Sequence, residues 1–141
     1  MSGMVQSGVT IDQLYSRMMK VLLVEDEPLV RDMVRVFLER AGYGVESAGT
    51  AEEVLEGWSE RAVDLLLTDV MLPGQTGIEL AAALREQRPN LKVVYMSGNI
   101  ADPASRESVL SPDTRFLSKP FSRASLLEVI RSLGSDTPTP Q

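Results

Sequence analysis

The segment from Val63 to Gly74 has the sequence VDLLLTDVMLPG, and this segment decides which fold we expect. Its first half is a nearly continuous apolar run, which is typical of an inner strand of a parallel sheet. Asp69 comes at the carboxyl end of this predicted strand, and Pro73 with Gly74 turns the chain away. Ligands of open α/β sheets bind in the crevice beyond the carboxyl ends of the strands. The sequence therefore predicts a functional role for Asp69.

Four further segments have the composition of strands and alternate with amphipathic segments. These predicted strands are residues 20–24, 44–48, 92–96 and 114–118. Strands that alternate with helices indicate an α/β protein with a parallel sheet, helices on both faces and right-handed crossovers. We expect one such domain over residues 20–134, preceded by a leader or linker (1–19) and followed by a flexible tail (135–141).

Five helices are predicted between and after these strands. The first begins at Pro28, ends before Gly42 and has an apolar stripe that includes Met33. The second begins at a capping box that starts with Thr50, and its buried face is Ala51, Val54, Leu55 and Trp58. The apolar residues of the third helix are Ile78, Leu80, Ala81 and Leu84. The fourth is a short helix within 104–110. The fifth follows the cap residue Ser122 and ends before Gly134.

Composition excludes several classes of function. The formal net charge is −6 and the pI is about 4.7, which argues against general nucleic-acid binding. The chain has no cysteine and no histidine, so it offers no disulfide, thiolate or imidazole metal ligand and no catalytic triad with histidine. Neither a signal peptide nor a membrane-spanning run is visible, so we expect a cytoplasmic protein without membrane insertion.

Polar residues follow three other predicted strands and are expected to meet Asp69 at one edge of the sheet. Glu25 and Asp26 follow the first strand, Ser97 the fourth and Lys119 the fifth. Three acids placed together need a cation to offset their charge, and with oxygen ligands alone Mg²⁺ is the natural choice. The alternative interpretations are a solvated helix N-terminus at Glu25 and Asp26, a turn at Ser97 and a surface position for Lys119.

Four motifs in this order resemble the response-regulator receiver domains of two-component signalling. They are LVEDEP (23–28), LTDVMLPGQTG (67–77), MSG (96–98) and FLSKPF (116–121), and the resemblance covers about residues 20–133. It implies a flavodoxin-like (βα)5 sheet with strand order 2-1-3-4-5. It also implies a cytoplasmic phosphorelay component that takes phosphate from a histidine kinase or phosphotransfer protein and is not a turnover enzyme.

The resemblance assigns a role to each residue of the site. Asp69 would be the phosphoacceptor. Asp26, Asp69 and the backbone carbonyl of Met71 would bind Mg²⁺ directly. Glu25 would bind it mostly through water. Lys119 and Ser97 would bind phosphoryl oxygens. Ser97 and Phe116 would form the switch that passes the signal to a downstream protein or a covalently linked kinase or output domain, including that of a hybrid sensor kinase.

Two departures from the family pattern affect these expectations. Phe116 replaces the usual tyrosine and lacks its hydroxyl, and Met71 cannot orient a water molecule by hydrogen bonding, so slow self-dephosphorylation is expected. Two rivals remain. A haloacid-dehalogenase-type phosphohydrolase would need a second acid at position 71 and a cap insertion. A receiver-like module that is never phosphorylated would have no need of the intact site residues.

Overall fold

Five parallel strands form one sheet in the computed structural model, which describes residues 19–58, 62–98 and 112–134. The strands are β1 (Lys20–Val24), β2 (Gly44–Ala48), β3 (Leu65–Asp69), β4 (Lys92–Ser97) and β5 (Thr114–Ser118). Their spatial order is β2-β1-β3-β4-β5, which confirms the predicted sheet. Because β3 is the middle strand, Asp69 lies at the centre of the edge formed by the carboxyl ends of the strands.

The described helices cover both faces of the sheet. They are α1 (Pro28–Arg40), α2 (Ala51–Leu55), α3 (Gly77–Gln87) and α4 (Arg123–Gly134). Alternate residues of β1 belong to two separate core clusters, Val21 and Leu23 with residues of α1 and α4, and Leu22 and Val24 with residues of α2 and α3. Burial on both faces explains why the strands have nearly continuous apolar sequences.

Side-chain caps fix where three of these helices begin. The hydroxyl groups of Thr50 and Ser122 accept N–H bonds from the residues three positions on, as the sequence predicts for α2 and α4. Helix α3 has a reciprocal capping box between Thr76 and Glu79, which was not among the predicted caps. This box sets the start of α3 next to the end of β3.

The helix predictions were wrong in four details. The prediction places Met33 on the apolar stripe of the first helix and Leu55 on the buried face of the second, but these residues are 43% and 39% exposed. Met33 lies at the margin of an apolar stripe whose buried residues are Val34 and Leu38, and helix α2 ends at Leu55. Trp58 is buried as predicted but lies beyond the helix, and the last helix includes Gly134 instead of ending before it.

Three predictions fall outside the described residues. These are the leader apart from Met19, the short helix within 104–110 and the tail 135–141. Of the helices that the structure describes, none combines the length and the apolar character needed to cross a membrane.

Candidate phosphoacceptor and metal site

Three carboxylates meet beyond the ends of β1 and β3. One carboxylate oxygen from each of Glu25, Asp26 and Asp69 lies within 4.8 Å of the other two. Glu25 is fully buried, Asp69 is partly buried and Asp26 is exposed. The sequence prediction that these acids cluster is therefore confirmed, and the parallel pairing of β1 with β3 is the reason.

Lys119 binds two of the three acids. Its Nζ donates to Asp69 Oδ2 at 2.6 Å and to Glu25 Oε1 at 2.8 Å, and its side chain is 23% exposed. Burial alone would lower the pKa of Lys119, but the hydrogen bonds with Asp69 and Glu25 outweigh it and leave the pKa above its usual value. The ammonium is therefore charged at neutral pH, and Lys119, the first residue after β5, contacts the acid cluster.

Glu25 is the only fully buried acid of the three. Burial raises the pKa of its carboxyl, although hydrogen bonds from Lys119 and from the N–H of Glu27 act in the opposite direction. One ammonium, which contacts two of the three clustered carboxylates, leaves an excess of negative charge when all three are ionised. A cluster of this kind is stabilised by a further cation.

Magnesium fits this donor set. Mg²⁺ prefers oxygen ligands, is bound by few carboxylates and keeps several waters, and an exposed Asp26 beside a buried Glu25 provides both a protein ligand and access for water. The carboxylate of Asp69 is already oriented, because its Oδ1 accepts the N–H of Met71 at 3.2 Å and its Oδ2 binds Lys119. The side chain of Met71 is 70% exposed and presents no polar group to the site.

The ends of β4 and β5 place Ser97 and Lys119 together. Ser97 is buried, and its carbonyl oxygen accepts the N–H of Lys119 at 2.8 Å. Asp69 pairs with Met96 in register, so Ser97 is one residue beyond the partner of the central acid. The bond between Lys119 and Pro120 is cis, which the sequence could not decide.

Phe116 lies on the edge strand β5, which β4 separates from the strand that carries Asp69. It is half-buried, and its ring centroid is 5.5 Å from that of Tyr95, which is opposite it in register and fully buried. The two rings pack against the same core cluster as α2 and α3. Phe116 therefore lies within reach of movements of β4, the strand that ends at Ser97.

Two contributors to the site were not predicted. Gly77 begins α3 so close to β3 that its N–H donates to Val70 O at 2.8 Å. Arg31 donates from Nη1 to the backbone carbonyl of Glu25 at 2.8 Å. Gly77 is the last residue of the LTDVMLPGQTG motif, but the sequence does not show how closely it packs against β3. No sequence signal distinguishes Arg31 from Arg35 one turn further along the same helix.

The fold and this set of residues define a receiver domain, and the family model for the response regulator receiver domain matches residues 21–131. The chain belongs to this family. The match assigns the chain to this family and not to the haloacid-dehalogenase-type phosphohydrolases.

Curated relatives include proteins of very different length. The chain is 34% identical over 116 residues to the response regulator receiver protein CpdR of Brucella abortus, covering 82% of this chain and 97% of that protein. It is 35% identical over 115 residues to the sensor kinase CckA of the same organism, covering 80% of this chain and 12% of the kinase. Both a short regulator and a segment of a kinase thus resemble it.

Solved structures agree with the sequence comparison. The chemotaxis protein CheY4 of Vibrio cholerae superposes with a TM-score of 0.76 at 30% identity, covering 82% of this chain and 98% of that chain. This similarity confirms the flavodoxin-like arrangement of the sheet.

Proposed function

We propose that this receiver domain accepts a phosphoryl group on Asp69 in a Mg²⁺-dependent reaction. The observation that carries the proposal is the contact of Lys119 with both Asp69 and Glu25 inside a cluster of three carboxylates. A nucleophilic acid, a fixed ammonium and oxygen ligands for a metal are the groups that phosphoryl transfer requires. That reaction depends mainly on positioning and on charge stabilisation.

The proposed transfer forms an acyl phosphate. A carboxylate oxygen of Asp69 bonds to phosphorus while the bond from phosphorus to the donor's imidazole nitrogen breaks, and the freed imidazole takes up a proton. Magnesium held by Asp26, Asp69 and the Met71 carbonyl, with Glu25 acting through water, would offset the charge on the phosphoryl oxygens. The donor histidine belongs to a histidine kinase or phosphotransfer protein, because these 141 residues contain none.

Lys119 and Ser97 have binding roles in this proposal. The ammonium of Lys119 is 2.6 Å from Asp69 Oδ2, so it is placed to bind an oxygen of a phosphoryl group attached there. The Ser97 hydroxyl would bind a second oxygen, and the bond from Lys119 N–H to the Ser97 carbonyl couples the positions of the two residues. New phosphate charge would thereby draw the ends of β4 and β5 toward Asp69.

The proposed output is a change in the surface near β5. Movement of Ser97 would alter the space next to Tyr95 and Phe116, whose rings are in contact, and the Phe116 rotamer would follow. A downstream protein, or a kinase or output domain covalently linked to residues 20–134, would read this change in the cytoplasm. The domain acts as a signalling module with its own phosphorylation as the signal.

Intact-mass measurement tests the proposal directly. The protein is incubated with acetyl phosphate with and without Mg²⁺, as wild type, Asp69→Asn and the control Asp32→Asn, which changes an exposed acid on α1. We expect the gain of one phosphoryl group in the wild type and the control, and none in Asp69→Asn or without Mg²⁺.

Other outcomes would lead to other conclusions. Phosphorylation that persists in Asp69→Asn would refute Asp69 as the acceptor. Magnesium binding without any mass gain would favour the receiver-like module that is never phosphorylated. Continuous consumption of acetyl phosphate without a lasting adduct would indicate hydrolysis as the main activity.

A further inference from the structure

Arg31 connects helix α1 to the loop that carries the acid pair. Its Nη1 donates to the carbonyl oxygen of Glu25 at 2.8 Å. Its backbone N–H donates to the carbonyl oxygen of Glu27 at 2.9 Å, as the first turn of the helix requires. One residue thus holds the backbone at both ends of the three-residue segment that contains Glu25 and Asp26.

The direction of helical side chains explains why Arg31 reaches this loop. Side chains on an α-helix tilt toward its N-terminus, so a long side chain in the first turn extends back over the preceding residues. Gly49 leaves the space that the guanidinium occupies, because a Cβ at that position would be 3.0 Å from Arg31 Nη1. The guanidinium is therefore confined between the loops that follow β1 and β2.

The other contacts of Glu25 show what this arrangement achieves. Its N–H donates to Ala48 O at 3.1 Å, and its carboxylate accepts from Lys119 and from the N–H of Glu27. Arg31 supplies the bond to the remaining polar group, the carbonyl oxygen. These four bonds restrain both the backbone and the carboxylate of Glu25, the residue directly before Asp26.

We infer that Arg31 is a positioning residue, whose bond to the Glu25 carbonyl holds the acid pair in place for Mg²⁺. The inference rests on the proposed function, since the metal site it serves is part of that proposal. Partners that orient metal ligands commonly change metal affinity by about 10- to 100-fold when they are removed. We expect Arg31→Met to weaken Mg²⁺ binding by about tenfold.

The direction of the change in Mg²⁺ affinity distinguishes a positioning role of Arg31 from a purely electrostatic one. A guanidinium beside a cation site repels the metal, so loss of its charge alone would strengthen Mg²⁺ binding. Loss of a bond that orients the ligands would weaken binding instead. Arg31→Lys keeps the charge without the planar guanidinium and is expected to lie between Arg31→Met and the wild type.

Calorimetric titration with MgCl₂ would compare the wild type with Arg31→Met, Arg31→Lys and Arg35→Met. Arg35 is the matched control, because it lies one turn further along α1 and pairs with Asp32 and Glu39 at the surface. Amide hydrogen exchange of Glu27, whose N–H donates to Glu25 Oε2, gives a second readout in metal-free protein. Gly49→Ala would displace the guanidinium from its position but leave the arginine side chain intact. This variant replaces Arg31→Met in the experiment if Arg31→Met does not fold.

Weaker Mg²⁺ binding and faster Glu27 exchange in Arg31→Met, with Arg35→Met unchanged in both, would support the inference. Binding of Mg²⁺ in Arg31→Met that equals or exceeds that of the wild type would overturn it. A wild type that itself binds no Mg²⁺ would overturn the proposed function together with the inference. Failure of the proposed function can be told apart from failure of the inference alone, because only the former affects Mg²⁺ binding by the unmodified protein.

Discussion

The first residue of α3, Gly77, lies directly against the carbonyl oxygen of Asp69. A Cβ at Gly77 would overlap that oxygen and would be 3.0 Å from the hydroxyl oxygen of Thr68. The two strand residues cannot yield easily, because Asp69 and Thr68 belong to the central strand of the sheet. The absence of a side chain at position 77 is therefore a condition for the position of the candidate phosphoacceptor.

Gly77→Ala is expected to destabilise the protein by about 2 kcal/mol and to slow phosphorylation by acetyl phosphate. The overlapping atom is a backbone atom of Asp69, so relief of the clash must move the acid itself. Denaturant unfolding and the rate of mass gain would measure the two effects. Gly98→Ala is the control for stability, since a Cβ there would meet nothing within 4 Å. Equal stability of the two variants would show that the helix shifts without cost.

Lys119→Met is expected to destabilise the metal-free protein by about 2 kcal/mol, because it leaves the buried carboxylate of Glu25 without its cation. The free energy of unfolding should then rise more with added Mg²⁺ in the variant than in the wild type, since the metal takes over the neutralising role. Lys92→Met, which removes a bond to the Leu133 carbonyl, is the matched control. An equal rise in the free energy of unfolding on addition of Mg²⁺ to the wild type and to both variants would contradict this prediction.

Met71→Asn is expected to shorten the lifetime of the phosphorylated form by about tenfold, which corresponds to about 1.4 kcal/mol of transition-state stabilisation. An amide can orient an attacking water molecule by hydrogen bonding, and a thioether is a poor partner for one. The side chain at this position is 70% exposed, so the substitution leaves the core unchanged. Loss of the phosphoryl mass over time gives the lifetime, and Met71→Leu should leave it unaltered. An unchanged lifetime in Met71→Asn would disprove the stated role of residue 71.

Arg88→Met is expected to lower the free energy of unfolding by about 1 kcal/mol and to change the fluorescence of Trp58. The guanidinium carbon of Arg88 is 4.2 Å from the centroid of the Trp58 ring, and the side chain also donates to Trp58 O and Val63 O. Trp58 is the single tryptophan of the chain, so the tryptophan emission comes from this ring alone. Phosphorylation should proceed at the wild-type rate, since Arg88 is not part of the site at Asp69. Unaltered emission in Arg88→Met would show that the contact does not persist in solution.

Sequence reasoning recovered the sheet and the main acids for a physical reason. Buried parallel strands need apolar residues on both faces, and the polar residues that end such strands must gather at one edge. Glu25, Asp26 and Asp69 each follow or end a predicted strand, so their proximity could be predicted before any coordinates existed. The two exposed residues Met33 and Leu55 escaped prediction because periodicity gives a helix face but not how far the core covers it.

The sequence by itself determined the order of elements, the doubly wound sheet and the edge at which the acids meet, because these follow from local patterning. Only the tertiary structure decided the contacts that shape the site. Lys119 reaches Glu25 across 94 positions of sequence, Gly77 packs against the Asp69 backbone, and Arg31 rather than Arg35 bonds to the Glu25 carbonyl. Such contacts depend on side-chain direction and on distances between elements, and a pattern along one chain records neither.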